Sequence, residues 1–326
     1  MSDFRYAFNE RKGTLLAIVV FVGMFTLYIS NHSAGLTPNV ATTAANKGVL
    51  LAIVAMAQTL PVLTAGLDLS VGMVFILANC LAATLVIGSP VHVTGGIVAV
   101  LGLGVGCGLI NGIIVVYGRL QPIITTLATG ACYYGLALWL RPTPGGGIDS
   151  DFADALTGQV FGTIPTMLFV LLAAVIVIWI PYRRSVVGRA AYAVGSNESA
   201  AYMSGVDVRR AKLVAYMLSG LLAAIAGLLL TCLTYSGEAS SPIGGTYTLN
   251  SIAAVVIGGT SLFGGAGSAI GSIFGAFILR TIDDLLFVFD LPPLWQPLFQ
   301  GVVLLAAVSL GSLRLLKIKN RLELYG

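Results

Sequence analysis

Arg183-Arg-Ser-Val-Val-Gly-Arg-Ala-Ala-Tyr-Ala-Val-Gly-Ser-Asn-Glu-Ser-Ala-Ala-Tyr-Met-Ser-Gly-Val-Asp-Val-Arg-Arg-Ala-Lys212 is the longest polar segment in a chain that is otherwise nearly all apolar. It carries Arg183, Arg184, Arg189, Arg209, Arg210 and Lys212, six of the 17 basic residues. Within it, Ser196 or Asn197 suits an N-cap, Glu198 suits a first turn, and Gly205 suits a helix end. A short helix over Asn197–Gly205 is too polar to enter lipid. It is expected on the cytoplasmic face of a membrane, docked on another body.

The surrounding composition supports that setting. Of 326 residues, 57% are hydrophobic and only 9% are charged, where a soluble domain carries about 25% charged residues. Such a chain cannot present a water-compatible surface and is read as an integral membrane protein. Apolar stretches near 20 residues recur along its length, which excludes a β-barrel of short alternating strands. No polar region is large enough to hold an enzyme core. The net charge of +4 reads as membrane anchors and not as a nucleic-acid patch. Cys80, Cys107, Cys132 and Cys232 lie in or beside apolar stretches without paired spacing, so neither a disulfide nor a metal site is expected.

Working outward from the polar segment, apolar spans fall near 13–29, 48–65, 71–88, 95–117, 123–140, 164–181, 212–233, 250–258, 264–281 and 295–312. The expected fold is all-α, with about ten transmembrane helices in one membrane domain over residues 1–326. Its cytoplasmic loop is 182–211. With the N-terminus inside, 14 of the 17 basic residues fall on the cytoplasmic side: Arg5, Arg11, Lys12, Arg119, the six of the loop, Arg314, Lys317, Lys319 and Arg321. The positive-inside rule then puts both termini in the cytoplasm. Acids gather on the other side, at Asp149, Asp151, Asp154, Glu238, Asp283, Asp284 and Asp290, and are expected to form an outer docking rim.

Two spans are interrupted. Gln58-Thr-Leu-Pro61 is followed by Thr64-Ala-Gly-Leu-Asp-Leu-Ser-Val-Gly72, and later comes Ile257-Gly-Gly-Thr-Ser-Leu-Phe-Gly-Gly-Ala-Gly-Ser-Ala-Ile-Gly271. Each puts a glycine-rich break between apolar runs, at Gly66 and Gly72 and at Gly258, Gly259, Gly264 and Gly265. The matching positions predict an internal inverted repeat, spans 2–5 against 7–10. Paired broken helices point to a transport path, because irregular backbone is tolerated at membrane depth only where it lines protein or water. Asp68 is the lone acid in an apolar region. It reads either as a functional carboxylate or, with Ser70, as the cap of the helix that follows.

These residues resemble a known family. Ala65-Gly-Leu-Asp-Leu-Ser-Val-Gly72 looks like the Gly-(Gly/Leu)-Ile-Asp-Leu-Ser-Val-Gly signature of bacterial ABC-importer permeases for ribose and related monosaccharides. Val187–Val206 looks like that family's Gly-Arg-x-x-Tyr-Ala loop segment, and Ile252–Ser268 like its Gly-Gly-Thr-Ser-Leu-x-Gly-Gly-x-Gly segment. The likeness covers nearly the whole chain, with one departure: Ala65-Gly66-Leu67 stands where the family usually has Gly-Gly-Ile.

The resemblance implies a permease subunit in a bacterial cytoplasmic (inner) membrane, with no enzyme activity and no cofactor of its own. ATP and Mg would sit on a separate ABC ATPase, since the chain lacks a phosphate-binding Gly-x-x-x-x-Gly-Lys-Ser/Thr loop. It also implies a second permease chain, identical or homologous, and a periplasmic substrate-binding protein. Contacts with membrane lipid are expected and nucleic acid is not. A neutral polyol needs amide, hydroxyl and aromatic partners, which makes Gln58, Asp68, Asn79, Tyr133, Tyr134, Asn250, Ser251 and Phe274 the candidates for its path. The ATPase would take the coupling segment Asn197, Glu198, Ala200, Ala201, Tyr202, Met203 and Gly205. The alternative solutes are a branched-chain amino acid, a nucleoside or a signalling furanone. A membrane-embedded enzyme would need clustered acids, histidines or Ser/Lys pairs at depth. A passive channel has no use for the docking loop.

Overall fold

The computed structural model describes residues 2–240, 242–302 and 305, with side chains from residue 13 onward except residue 293. The expected tenth span, 295–312, extends outside the described residues, as do Arg314, Lys317, Lys319 and Arg321 and the side chains of Arg5, Arg11 and Lys12. The chain is all-helical in its spans. In order, the helices are α1 (Ser2–Asn31), α2 (Pro38–Leu63), α3 (Val71–Leu85), α4 (Pro90–Val116), α5 (Pro122–Leu140) and α6 (Ser150–Thr157). A two-residue hairpin follows, β1 (Gln159–Val160) antiparallel to β2 (Ile164–Pro165). Next come α7 (Thr166–Ala174), a π turn (Val175–Trp179), α8 (Ile180–Arg184), α9 (Val186–Ser196), α10 (Glu198–Met203), α11 (Val208–Thr234), α12 (Ile243–Ile257) and α13 (Ala269–Val288).

Among the described residues, six helices are long and apolar enough to cross a membrane: Gly13–Asn31, Pro38–Leu63, Pro90–Val116, Pro122–Leu140, Thr166–Arg184 and Val208–Thr234. Several begin earlier than the apolar pattern predicts. Thr37 caps α2 by accepting from the Val40 N–H, and Pro38 opens its first turn. Ser89 and Pro90 start α4 in the same way. Proline there loses no helical hydrogen bond and arrives with a helical φ, so the polar run Thr42–Lys47 is helix and not loop. The helix α6 and the hairpin are small elements the sequence reading did not anticipate.

The apolar helix α2 is buried on all sides from Gly48 to Leu63, as expected of a central helix. Around it pack α3, α11, α12 and α13. Glycines set the closest crossings. A Cβ on Gly104 would stand 2.4 Å from the Gly220 oxygen, and one on Gly227 would stand 2.3 Å from the Phe75 oxygen. Close backbone approach is what holds helices together where lipid and protein are equally apolar.

Two helices are too short to cross alone. α3 and α12 have 15 residues each, about 22 Å at 1.5 Å per residue, against a hydrocarbon core of about 30 Å. Their N-terminal ends meet inside the bundle. Ser70 packs on Gly130, halfway along α5, and the Gly72 N–H donates to Thr248 Oγ1 at 3.1 Å. A Cβ on Gly72 would fall 1.9 Å from the Gly244 oxygen. From that meeting point α3 runs toward the end of the bundle that carries α6, and α12 runs toward the end that carries α9 and α10.

Candidate functional site

The first break, residues 64–70, is closed by its own backbone and by a buried polar network. Pro61 lies near the end of α2, and the Thr64 and Gly66 N–H groups both return to its carbonyl. Ala65 takes φ +60°, the left-handed region that glycine occupies freely and alanine does not. The one departure from the family motif thus falls on a position whose backbone favours glycine.

Asp68 is 2% exposed. Its Oδ1 accepts from the Ser70 N–H at 3.0 Å and the Ser70 hydroxyl at 2.6 Å, and its Oδ2 accepts from the Ser219 hydroxyl at 3.3 Å. Asn111 Nδ2 donates to Ser70 Oγ at 2.7 Å, and the Tyr133 hydroxyl donates to Asn111 Oδ1 at 3.2 Å and to the Cys107 carbonyl at 3.0 Å. With its amide oriented by these neighbours, Gln58 donates to the Asp68 carbonyl at 2.8 Å and accepts from the Asp68 N–H at 3.3 Å. Thr126 Oγ1 accepts from the Leu69 N–H. The carboxylate accepts directly from the break and from α11, and the network around it, through Ser70, Asn111, Tyr133 and Thr126, ties α4 and α5 to the break as well. Ser70 occupies the cap position of α3 but makes no side-chain cap bond.

The second break, residues 258–268, takes positive φ at Gly259, Gly264, Gly265 and Gly267. Gly258 lies on Gly271, where a Cβ would fall 2.3 Å from the Gly271 carbonyl, and Gly259 lies on Gly13 of α1. Ser268 restarts the chain as the cap of α13. The two breaks touch: the Gly265 N–H donates to the Leu63 carbonyl at 3.1 Å.

Of the expected path residues, Gln58, Asp68, Asn79, Tyr133 and Ser251 are buried within the chain. Asn79 Nδ2 donates to Thr231 Oγ1 and the Ser236 carbonyl, and its Oδ1 accepts from the Glu238 N–H. Ser251 Oγ donates to the Thr248 carbonyl. Phe274 packs on Phe21 of α1. Tyr134 and Asn250 are half-buried, and Thr246, one turn before Asn250 on α12, is exposed.

The polar segment folds as α9 and α10, joined without a linker. Asn197 ends α9 and caps α10, its Oδ1 accepting from the Ala200 N–H at 2.9 Å. Gly205 takes φ +79°, and the Val206 N–H closes the turn on the Ala201 carbonyl. Tyr202 and Met203 are 73% and 81% exposed. Two residues of the expected coupling segment are engaged within the chain. Ala201 is 6% exposed and packs with Val194 and Ala211 of its own chain, because α10 turns that side onto α9 and α11. Glu198, in the first turn of α10 as expected, pairs with Lys212 at 2.6 Å.

At the opposite end, Asp283 and Asp284 depart from the expected open acidic rim. Asp283 accepts from Arg280 at 3.0 Å and from Gln300 at 2.9 Å, and Asp284 lies 3.9 Å from Lys47. Both line a cavity of about 690 Å³ between α1, α2 and α13. Their cations come from one turn back on α13 and from α2. Among the described residues no cluster of His, Cys, Asp or Glu is placed to hold a metal.

Residues 40–308 match the family described as branched-chain amino acid transport system / permease component. Three curated relatives are similar at full-chain scale. The ribose import permease protein of Bacillus subtilis (strain 168) is 34% identical over 79% of this chain and 80% of the relative. The D-allose transport system permease protein of Escherichia coli (strain K12) is 30% identical over 94% and 93%. The galactose/methyl galactoside import permease protein of the same strain is 32% identical over 92% and 91%. No solved structure matches.

Proposed function

We infer from one premise, that this chain belongs to the branched-chain amino acid transport system / permease component family, that it is the membrane subunit of an ATP-driven, binding-protein-dependent importer. It is a transport subunit and not an enzyme. We propose that its solute is a monosaccharide or a similar small neutral polyol, the class named in the relatives' descriptions.

The observation that carries the neutral solute is the state of the interior. Among the described residues Asp68 is the one buried charged side chain, and its oxygens are occupied by Ser70 and Ser219. Among the described residues around the two breaks no further buried charge stands ready to receive an ammonium or carboxylate group; the charged cluster of Lys47, Arg280, Asp283 and Asp284 lies apart from them, at the other end of the bundle. The path runs along the half-exposed polar face of α12, at Thr246 and Asn250, with Tyr134 of α5. Gln58, Asp68, Asn79, Tyr133 and Ser251 hold its frame, as do the glycines at 66, 72, 258, 259, 264 and 265. The half-buried Asn250 amide is costly against lipid and suits water, solute or a second permease chain.

The remaining parts follow the same reading. The chain sits in the bacterial cytoplasmic membrane with α9 and α10 inside, both termini inside, and about ten spans arranged as an inverted repeat around α3 and α12. The ATPase docks on α10 through Tyr202 and Met203, exposed apolar anchors of the kind that dominate interfaces. The binding protein docks at the α6 end.

The test is ATP-dependent uptake into proteoliposomes holding this permease, its ATPase and its binding protein, offered ribose, galactose, leucine and a nucleoside. Monosaccharide accumulation is expected. Leucine uptake without sugar uptake would replace the polyol reading with the solute that the family's description names, and nucleoside uptake without sugar uptake would replace it with a nucleoside.

A further inference from the structure

Both breaks and α9 meet at one point. A Cβ on Gly195, near the end of α9, would stand 2.0 Å from the Leu63 oxygen of the first break and 2.4 Å from the Gly265 nitrogen of the second. A Cβ on Gly264 would stand 2.7 Å from the Ala65 nitrogen and 2.9 Å from the Gly195 Cα, and one on Gly265 would stand 2.7 Å from the Ser196 nitrogen. Three stretches of backbone, distant in sequence, are thus in close contact, with only the small side chains of Ala65 and Ser196 beside them. Two hydrogen bonds tie them: the Gly265 N–H to the Leu63 carbonyl at 3.1 Å, and the Tyr192 hydroxyl of α9 to the Gly267 carbonyl at 2.7 Å.

We propose that this junction is the transmission point of the permease: α9, moving with α10, shifts both breaks together, and Tyr192 is the positioning residue that holds α9 to the second. The proposal rests on the importer reading and concerns how the docked ATPase acts on the path. Contact between backbones leaves nothing soft to absorb a displacement, since packed interiors transmit strain. α9 and α10 move as one body because Asn197 belongs to both and Ala201 packs beneath with Val194.

A second observation bears on the same junction. Two buried tyrosine hydroxyls flank the junction, and neither finds a hydrogen-bond partner among the described residues: Tyr182 on α8 and Tyr216 on α11. Tyr216 presses on Gly66 of the first break, where a Cβ would stand 2.7 Å from its oxygen. Unpaired buried hydroxyls are rare and destabilise the state that holds them. A shift of the break or of α9 that pairs them lowers the energy of the other state, as a bistable element requires.

The experiment uses the assembled importer in proteoliposomes and measures solute taken up per ATP hydrolysed. Tyr192→Phe removes one hydroxyl and keeps the ring. It is expected to assemble and hydrolyse ATP at the wild-type rate while uptake per ATP falls several-fold. A merely structural defect would lower both together and leave the ratio unchanged. The second variant is Ala65→Cys with Ser196→Cys, both exposed positions, in a chain whose exposed Cys132 is replaced by Ser. Bridging the pair after assembly with a short bis-methanethiosulfonate, which forms a disulfide with each cysteine and releases methanesulfinate, is expected to stop uptake, with recovery on reduction. A wild-type ratio in Tyr192→Phe, or full turnover in the bridged importer, overturns the junction. If the unmodified importer takes up no solute with ATP, the importer reading itself fails and the junction falls with it.

Discussion

Replacing Asp68 separates a structural carboxylate from one that acts on solute. In Asp68→Ala three donors lose their acceptor: the Ser70 N–H, the Ser70 hydroxyl and the Ser219 hydroxyl. A buried unpaired donor costs about 1–3 kcal/mol. Both hydroxyls can rotate toward other acceptors, so the low end applies to them, and the expected loss is about 3–5 kcal/mol in all. That is a large share of a folding stability of about 5–15 kcal/mol. Asp68→Asn behaves differently. Its amide oxygen still accepts from Ser70, and its amide nitrogen can donate to Ser219 Oγ, which is acceptor as well as donor. Only the charge assistance is lost, about 1 kcal/mol, and it is offset by removing a buried charge. The assay pairs thermal unfolding of the purified chain in detergent with proteoliposome uptake. Asp68→Asn should unfold near the wild-type temperature and transport within about twofold of it, a change that corresponds to about 0.4 kcal/mol. Asp68→Ala should unfold at a clearly lower temperature. A stable Asp68→Asn chain whose uptake has dropped more than tenfold would refute this reasoning, because geometry would be intact and only the charge gone. An Asp68→Ala chain as stable as wild type would refute the network.

Three further outcomes follow from the geometry. Ala65→Gly relieves a left-handed alanine and should change stability by about +1 kcal/mol less the entropy that glycine adds to the unfolded chain, so thermal unfolding should stay level or rise. A clear fall would contradict the strain. Gly72→Ala drives a methyl to within 1.9 Å of the Gly244 oxygen and forces α3 and α12 apart, so uptake should be abolished and the unfolding temperature lowered. Wild-type uptake would show that the two half-helices need not touch. The pair Tyr202→Asp and Met203→Asp changes only exposed side chains of α10, and it should leave the permease folded but prevent co-purification of the ATPase. Ala201→Arg, by contrast, should fail at folding, because its methyl lies against Val194 and Ala211.

The sequence by itself determined the class of molecule, an all-α membrane protein, and the caps and breaks that interrupt its helices. An apolar fraction this high has one solution in lipid, since backbone polar groups must be satisfied within each spanning segment. The caps that end the helices are local, which is why Asn197, Gly205 and the glycines of both breaks could be named from spacing alone. What only the tertiary structure decided is which of these local features meet. Asp68 finds Ser219 across 151 residues, and no local pattern marks that partner. Ala201 turns inward because a six-residue helix is too short to carry a readable apolar stripe, so its buried side is chosen by α9 and α11. Asp283 and Asp284 looked like free rim acids because Arg280 reaches Asp283 only once α13 is helical, and Lys47 nears Asp284 only when α13 folds against α2. Tyr192 looked like one residue of a loop motif until the two breaks, far apart in the chain, closed on the same end of the bundle and brought the Gly267 carbonyl to its hydroxyl.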